Sequence, residues 1–426
     1  MDGGFVVVWQ SDFLDGSEWG IAAKIYNSNG TVRKDEFIVN TNTEGDQMEP
    51  DVMGVGNGNF VVAWTCVNAS TGPDICFQIF DQNGNKVGDE LVANTFRIGS
   101  QDSVRIIDTI MGHFGLTWQS QYLDGSGYAA VFRLFQDTGE PWGSEWKTSN
   151  YVTSDQHQPD GKLNDNNEYI MVWRSFGQDS DQGGIYMNVF DYEGNPDFSD
   201  TLVHDSPTGD QRHPKVAYIF TDYRHIVTWD STVEGDTDVK CKIFETNFSV
   251  NKTEFTVNNY TSGTQSHPVI ATLTGDRFVI IWRSYGQDGD CYGLYGKVFD
   301  TLGNVLIDEF QVNTFTKDDQ TSQSVSALPD GGFIVVWESR DQDGSSSGIY
   351  AKRYKMSGEE WIPPAISQCP TPELPKYNST TQTCEKCVYD YDCIFEQMEI
   401  MSVVPMDNVF NVQTSKIIAV PYLNPI

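Results

Sequence analysis

Short apolar runs that end in tryptophan recur along the chain, and polar residues and glycines separate them. Typical runs read FVVVW, FVVAW and FIVVW. The tryptophans lie about 55 residues apart, at Trp9, Trp64, Trp118, Trp173, Trp229, Trp282 and Trp337. A fixed period of this length is typical of repeat architectures, in which neighbouring units bury one another's apolar faces. The pattern therefore predicts seven copies of one structural unit.

Within one unit the pattern predicts four short strands. The sixth copy reads HPVIATL, GDRFVIIW, GLYGKVFD and DEFQVN, and clusters of Gly, Asp, Asn and Thr separate these segments. Runs of Val, Ile, Phe and Tyr between such clusters are typical of a β-meander. The nearly continuous apolar run before each tryptophan predicts a strand that is covered on both faces. We therefore expect an all-β fold, a seven-bladed β-propeller of four-stranded antiparallel blades, with an open β-solenoid as the competing architecture.

The repeat also predicts the domain organisation. Residues 1–366 hold the propeller, in which the first blade lacks its inner strand because the chain opens in the middle of a unit. We expect upstream sequence to be missing, since the start also lacks the pattern of a signal peptide. Residues 396–426 form a tail in which the segment 409–420 is one candidate to supply the missing strand and close the ring; a loose tail is the alternative.

Inner strands begin just after a proline in several copies, where a missing amide donor does little harm. These prolines are Pro50, Pro159, Pro214 and Pro268.

Residues 367–395 differ from the repeats and predict a small Cys-rich module. Four of the eight cysteines fall here, at Cys369, Cys384, Cys387 and Cys393. Two disulfides are the expected arrangement, with zinc binding through Cys384 and Cys387 as the alternative. Within the repeats, Cys66 and Cys76 flank one hairpin and predict a cross-strand disulfide, whereas Cys241 and Cys291 either pair or remain free thiols.

Net charge excludes some partners. The chain carries 60 acidic and 27 basic side chains, a formal charge of −33, which would repel nucleic acid and anionic membrane surfaces. No apolar run is long enough to predict a transmembrane span. Weak support for an extracellular location comes from six Asn-X-Ser/Thr sequons, at Asn29, Asn68, Asn247, Asn251, Asn259 and Asn378.

The hairpin loop that follows each tryptophan is rich in carboxylates and is the candidate metal site. Three copies carry two aspartates two residues apart, at Asp179 and Asp181, Asp236 and Asp238, and Asp288 and Asp290. Paired carboxylates on a glycine turn can supply oxygen ligands to calcium, the one cofactor that the sequence indicates. The structural interpretation is the preferred one, because Asp-Gly is a preferred hairpin turn; Asp15, Asp124 and Asp343 occur singly in such turns.

Glutamines and histidines recur near the inner strands. Before each inner strand lies one of Gln47, Gln101, Gln156, Gln211, Gln265 and Gln320, which predicts a structural amide bonded to a turn or to the next blade. His157, His213 and His267 lie at one rim in successive blades. A metal or acid–base cluster is one interpretation of these imidazoles, and surface histidines without a partner constellation are the preferred one.

No catalytic motif is evident, and the tryptophan precedes the Asp-Gly turn, the reverse of the sialidase Asp-box order. The form Trp-x-Ser-x-x-x-Asp-Gly-x-x-x-Gly-Ile-x-x-x-x-Phe-Asp, followed by EFxVNT and DGGFVVVW, resembles repeats of large secreted or surface-anchored bacterial adhesin-type proteins and of ciliate surface proteins. The segment YNSTTQTCEKC resembles growth-factor-receptor-type cysteine modules of ciliate surface proteins. These resemblances imply an extracellular interaction role and no catalytic residues.

The sequence thus predicts a secreted or cell-surface binding and scaffolding protein, not an enzyme, whose loops contact an extracellular protein or glycan. The alternative function is an extracellular carbohydrate-active propeller enzyme with its site in the central channel. A channel mouth at which carboxylates, arginines or histidines converge from several blades would favour the enzyme.

Overall fold

The chain forms seven antiparallel sheets that are the blades of a β-propeller. The computed structural model describes residues 4–359 except 69–71, 109–112, 198, 207, 345 and 356, and also residues 377–378, 383–384 and 417–421. The predicted all-β, seven-bladed architecture is confirmed. A single 3-10 turn, Gly56–Gly58, is the helical element of the described residues, and none of their helical segments has the length and apolarity needed to cross a bilayer.

The strands of each blade follow one another from the inner strand, at the channel, to the outer strand. Blade 1 consists of Ile417–Pro421, Phe5–Asp12, Trp19–Tyr26 and Val32–Ile38. Blade 2 consists of Gln47–Gly54, Phe60–Asn68, Gly72–Phe80 and Lys86–Val92. Blade 3 consists of Gln101–Asp108, His113–Gln121, Tyr128–Gln136 and Pro141–Lys147. Blade 4 consists of Gln156–Leu163, Tyr169–Phe176, Gly183–Phe190 and Thr201–Leu202.

The remaining blades have the same strand order. Blade 5 consists of Asp210–Ile219, Arg224–Val233, Asp236–Phe244 and Val250–Thr256. Blade 6 consists of Gln265–Leu273, Arg277–Tyr285, Tyr292–Asp300 and Val305–Gln311. Blade 7 has three described strands, Gln320–Ala327, Phe333–Arg340 and Ser347–Tyr354. A separate two-stranded ladder pairs Tyr377–Asn378 with Thr383–Cys384. Cys369, Cys387 and Cys393 lie outside the described residues, and the module of residues 367–395 stays a prediction.

The first blade takes its inner strand from the other end of the chain. Ile417–Pro421 pairs antiparallel with the start of Phe5–Asp12, so that Phe5 lies opposite Pro421 and Trp9 opposite Ile417. An apolar cluster that includes Phe5 and Val7 from blade 1 and Val336 from blade 7 joins these two blades. Backbone pairing and side-chain packing therefore both join the two ends of the ring, as in propellers that leave no long strand edge open.

The repeated tryptophans pack between blades. Trp64, Trp118, Trp173, Trp229 and Trp282 are fully buried. Trp64, for example, belongs to the same cluster as Val8 and Ile21 of the preceding blade. A tryptophan of this kind removes its large apolar surface from water only when the neighbouring blade is in place, which explains why the unit occurs as a ring of copies.

The cysteines of the propeller behave in two ways. Cys66 and Cys76, on neighbouring strands of blade 2, form the predicted disulfide. Cys241 is a buried free thiol in blade 5, and burial raises its pKa above the usual range. Cys291 in blade 6 is also free, so the alternative in which these two cysteines pair is not observed.

Candidate active site at the channel mouth

A β-bulge near the start of each inner strand shapes one mouth of the central channel. In blades 2 to 7 the strand register skips two residues, which together lie opposite the repeated tryptophan of the second strand. The first bulge residue has a left-handed backbone, with φ between 52° and 58°, at Glu49, Ser103, Gln158, His213, His267 and Ser322. Bulges of this type redirect a side chain and are frequent beside functional sites.

The bulges correct the expected starts of the inner strands. Three of these strands begin at the recurring glutamine, three residues before Pro50, Pro159 and Pro268, and the strand of blade 5 begins at Asp210, four residues before Pro214; none begins after its proline. Each of these prolines is the second bulge residue, where the ladder is interrupted and no amide donor is required.

Hydrogen bonds from the preceding blade hold the left-handed bulge residues in place. The amide of Glu49 donates to Gln10 Oε1 at 2.8 Å, and the amide of His267 donates to Asp230 Oδ2 at 2.9 Å. Gln10 and Asp230 each directly follow a repeated tryptophan, so the residue after the tryptophan reaches the bulge of the next blade. The αL conformation is costly for residues other than glycine, and such a bond offsets part of that cost.

His213, Asp230 and His267 form the most concentrated chemical group at this mouth. His213 Nδ1 lies 2.8 Å from Asp230 Oδ2, and the imidazole rings of His213 and His267 lie 3.6 Å apart between centroids. The Asp230 side chain is only 2% exposed, and its Oδ1 is a buried atom without a hydrogen-bond partner among the described residues. The side chains of His213 and His267 are 24% and 39% exposed, so both are accessible from the mouth.

Arg283 determines the protonation of His267. Its Nη2 lies 3.2 Å from His267 Nε2. A guanidinium can only donate, so Nε2 must accept, and the ring proton of a neutral His267 is assigned to Nδ1. Burial, together with the charges of His213 and Arg283, lowers the pKa of His267 to about 2. His267 is therefore a neutral imidazole at physiological pH.

Ion pairs line the channel beside this group. Lys215 Nζ lies 3.5 Å from Asp160 Oδ1, and Asp160 Oδ2 accepts a 3.0 Å hydrogen bond from the amide of Val216 in the next blade. Burial, followed by the charge of Arg105, lowers the pKa of Lys215 to about 8. These bonds link the inner strands of blades 4 and 5 and give the site a rigid base.

The group could serve as a metal centre or as an acid–base centre, and the contacts favour the second. Ligand atoms of His213, Asp230 and His267 all lie within 4.8 Å of one another, the one such trio found in the described part of the chain. Coordination through His267 Nδ1 would move its proton to Nε2, which faces the Arg283 donor. A metal bound there would oppose this arrangement, whereas proton transfer through His213 would not.

The paired carboxylates predicted to bind calcium lie in the hairpin loops of the same face, where each is engaged by the protein. In blade 4, Asp179 Oδ2 lies 3.4 Å from His204 Nε2, and Asp181 Oδ2 accepts a hydrogen bond from the amide of Gly209 at 2.9 Å. The two carboxylates thus contact different neighbouring segments.

Blades 5 and 6 show the same divergence. Asp288 Oδ2 accepts from Asn313 Nδ2 at 3.1 Å, and Asp290 Oδ2 accepts from the amide of Asp318 at 3.1 Å. Asp238 Oδ1 accepts from Asn258 Nδ2 at 2.7 Å, while Asp236 is exposed at the start of its strand. Calcium binding at these loops stays a prediction, which thermal melts in calcium and in chelator can check.

The recurring glutamines have the predicted structural role. Gln47 Nε2 donates to the carbonyls of Glu44 and Gly45 in the adjoining turn, and its Oε1 accepts from Trp64 Nε1 at 2.9 Å. Gln211 accepts from Trp229 Nε1 in the same way at 3.2 Å. In blades 2 and 5 the amide therefore connects the turn, the inner strand and the tryptophan, whereas in blades 3, 4, 6 and 7, as far as the structure describes them, the turn bonds recur without the bond to tryptophan.

Sequence reasoning identified the histidines of this site but missed Asp230 and Arg283. Both directly follow a repeated tryptophan, and this position varies between copies: Gln10, Thr65, Gln119, Arg174, Asp230, Arg283 and Glu338. The sequence did contain a signal for these two residues: the position directly after the constant tryptophan is polar in every copy but differs in residue type. His157 is not part of the trio; it lies beside Gln119 and Asp155 in the neighbouring blade.

Comparison with known proteins supports the fold and gives no family. The sequence matches no protein-family profile and no curated protein. An ulvan lyase, described as a new family of polysaccharide lyase, is similar in structure, with a TM-score of 0.53, 11% identity and coverage of 84% of this chain and 91% of that chain. A protein of unknown function from Dyadobacter fermentans has a TM-score of 0.51 and 9% identity, covering 72% of this chain and 93% of its own.

A Penicillium chrysogenum α-L-arabinanase is more distant, with a TM-score of 0.45, 16% identity and coverage of 70% and 93% of the two chains. At these identities the ulvan lyase and the Dyadobacter fermentans protein, both with a TM-score above 0.5, support the fold and nothing beyond it. The resemblance to adhesin-type and ciliate surface repeats has no match that supports it and stays a prediction.

The expectation that the protein is not an enzyme is corrected. A solved structure that is similar to it over 84% of this chain is a polysaccharide lyase. The channel mouth also meets the condition set for the enzyme, since histidines, a carboxylate and an arginine converge there from blades 5 and 6. The error arose because Asp230 and Arg283 are adjacent to the histidines only in space.

Proposed function

We propose that this protein is an extracellular carbohydrate-active enzyme whose site is the channel mouth at blades 5 and 6. The observation that carries the proposal is the hydrogen bond between His213 and the buried Asp230 beside a neutral His267. A buried carboxylate that orients an accessible imidazole is an arrangement suited to general acid–base catalysis. The similarity in fold to an ulvan lyase supports carbohydrate as the substrate class.

The geometry assigns distinct roles to the trio. Asp230 Oδ2 accepts from His213 Nδ1 and so leaves His213 Nε2 free to accept a proton from a bound sugar. Asp230 thereby fixes the orientation of the ring and the tautomer in which Nδ1 carries the proton. The backbone amide of His267 donates to the same oxygen and fixes the carboxylate in position. His267 itself stays neutral and packs against His213 as its rigid neighbour.

An extracellular location is part of the proposal. The Cys66–Cys76 disulfide supports it, because disulfides persist in oxidising compartments. The six sequons are compatible with that location. The sequence analysis predicted a binding protein with a glycan or protein partner, and the proposed enzyme also binds a glycan. We therefore expect the loops of the mouth face to contact a glycan in either case.

The experiment is an activity screen of the whole chain with matched variants. Purified protein is incubated with a panel of neutral and acidic polysaccharides, and new reducing ends and unsaturated uronate products are measured. We expect His213→Ala and Asp230→Asn each to lower the rate by about a hundredfold or more. His113→Ala is the control, because His113 lies at the opposite end of a blade, where its ring makes an edge-to-face contact with Trp142. Cleavage that both mouth variants retain, or no cleavage of any polymer, contradicts the proposal.

A further inference from the structure

Arg283 is a cation that pairs with no carboxylate across the described ranges of the chain. Its Nη2 faces neutral His267, and its Nε donates to Ser266 Oγ at 3.1 Å. The carboxylates of Asp230 and Asp319 act on its charge from a distance, without a salt bridge. Burial lowers its pKa from the usual value, although a guanidinium remains protonated at physiological pH. A partly buried charge whose direct contacts are neutral loses hydration without full compensation, which favours the binding of an external anion.

The equivalent arginine of blade 4 has its charge compensated by a carboxylate of the protein. Arg174 occupies the same position after its tryptophan, and its Nη2 lies 2.7 Å from Asp210 Oδ1 of the next blade. The aspartate that corresponds to Asp210 in the repeat is Asp319, but its Oδ1 accepts a hydrogen bond from the amide of Tyr292 at 3.2 Å. Two arginines at equivalent positions thus differ in one respect, which is whether a protein carboxylate pairs with them.

Aromatic rings continue outward from Arg283 along blade 6. The Arg283 guanidinium lies 4.8 Å from the centre of the Tyr292 ring, and Tyr292 contacts Tyr285 at 5.1 Å between centroids. Tyr285 is 50% exposed although it is a large aromatic residue. A strip from His267 through Arg283 and Tyr292 to Tyr285 therefore joins the reactive imidazoles to the surface of the same face. Flat aromatic surfaces with a polar end suit the apolar faces of sugar rings.

We propose that Arg283, Tyr292 and Tyr285 form a subsite for an anionic sugar unit, which makes an acidic polysaccharide the ligand. This inference rests on the proposed function and names its substrate class. The anionic group is a carboxylate or a sulfate, since both accept two parallel hydrogen bonds from a guanidinium. Tyr292 and Tyr285 contact the ring of that unit or of the next one.

The acidity of the whole chain does not prevent such binding. Its charge of −33 is spread over 426 residues, and salt screens charges beyond about 8 Å at physiological ionic strength. Recognition is then decided by the groups in contact with the ligand. Along the strip those groups are Arg283 and two tyrosines, and the nearby Asp319 carboxylate already accepts a hydrogen bond from the Tyr292 amide.

The test is a comparison of charged and neutral polymers by affinity electrophoresis and titration calorimetry. The probes are polygalacturonate, the same polymer after carboxyl reduction, a sulfated galactan and its desulfated form. We expect the wild-type chain to bind at least one charged polymer about tenfold or more tightly than its neutral counterpart. Which charged polymer binds more tightly distinguishes a carboxylate from a sulfate.

Variants locate the effect. Arg283→Gln should abolish the preference for the charged polymer, and Arg283→Lys, which keeps the buried cation, should retain part of it. Tyr285→Ala should weaken binding of charged and neutral forms alike. Arg277→Gln, at the other end of the same strand, is the matched control and should bind like the wild type. Thermal melts of each variant verify folding.

The outcomes separate this inference from the proposed function. Binding of a charged polymer that depends on Arg283 but leads to no cleavage supports the subsite and contradicts the enzyme. Cleavage that His213→Ala abolishes, without any preference for charged polymers, supports the enzyme and overturns the subsite. A preference that survives Arg283→Gln, or no binding of any charged polymer, also overturns the subsite.

Discussion

Two sets of positions lie side by side at the mouth end of the blades. In one set the residue type is the same from copy to copy, and in the other it varies. The constant set is the glutamine at the start of the inner strand and the tryptophan of the second strand, as in Gln211 and Trp229. The variable set is the bulge residue and the residue after the tryptophan, as in His213 and Asp230. The constant residues Gln211 and Trp229 are fully buried, whereas the bulge residue His213 is half-buried.

The difference indicates where function can arise in a repeat fold. A side chain that the neighbouring blade must cover is fixed by packing and recurs in each copy. A side chain at the mouth contacts a few polar groups of its own bulge and of the next blade, as Asp230 does, so its chemistry can change without opening the ring. Blade 1 places Gln10 where blade 5 places Asp230, and both accept from the next bulge amide. Only blade 5 has histidines at its own bulge and at the next one.

The largest effect on the free energy of unfolding is expected from a substitution in the constant set. Trp64→Ala should destabilise the protein by about 3–5 kcal/mol, because it removes a fully buried indole and leaves a cavity between blades 1 and 2. Denaturant unfolding followed by tryptophan fluorescence and far-ultraviolet circular dichroism measures the loss. As the comparison, Glu49→Gln at the variable bulge position of the same blade should change the free energy of unfolding by less than about 1 kcal/mol. Equal losses in the two variants would contradict the division into constant and variable positions.

The same division explains which features could be predicted from the sequence and which could not. The tryptophan period and the four-strand pattern predicted the seven blades, because these features reflect burial that each copy repeats. The Cys66–Cys76 disulfide followed from two cysteines flanking one hairpin. The trio at the mouth could not be derived in the same way, since His213, Asp230 and His267 come together through bulges and across two blades. Periodicity does not encode a bulge, and the prolines that accompany it were interpreted as strand starts.

A second prediction concerns the disulfide, a feature of blade 2 that the described parts of the other blades do not repeat. Removing it by Cys66→Ser with Cys76→Ser should lower the free energy of unfolding by about 2–3 kcal/mol, since the bond closes a short loop in the unfolded chain. Thermal or denaturant unfolding of the double variant against the wild type provides the measurement. Cys241→Ser, a change at a free thiol, is the comparison that should leave the dependence of stability on reducing agent as it is in the wild type.

A smaller effect is expected from the constant glutamine. Gln47→Leu keeps the shape of the side chain but leaves the Trp64 indole N–H and two turn carbonyls without their partner. Each unpaired buried polar group is costly, and we expect a total loss of about 1–3 kcal/mol. Glu49→Gln, two residues away at the bulge, should have little effect on unfolding. A Gln47→Leu variant as stable as the wild type would show that water replaces the amide.

The smallest effect tests the neutral state of His267 through the pH dependence of stability. Burial and neighbouring positive charges lower its pKa to about 2 in the folded chain, well below the ordinary value of 6.5. Between these values the unfolded chain binds a proton at this residue and the folded chain does not, so unfolding takes up protons and stability falls as the pH is lowered. The loss begins near pH 6.5 and continues toward pH 2, and the partial exposure of the ring makes it modest.

The variant His267→Asn removes this titrating group and should reduce the slope of unfolding free energy against pH by at most about one proton. His113→Asn is the control at the opposite end of a blade; burial lowers the pKa of His113 as well, but less strongly, so the slope should change less. Denaturant unfolding of both variants at a series of pH values gives the slopes. If His267→Asn leaves the slope unchanged, the pKa of His267 is the same in the folded and unfolded chains; below that pKa its Nε2 carries a proton and cannot accept the hydrogen bond from Arg283 that fixes the tautomer.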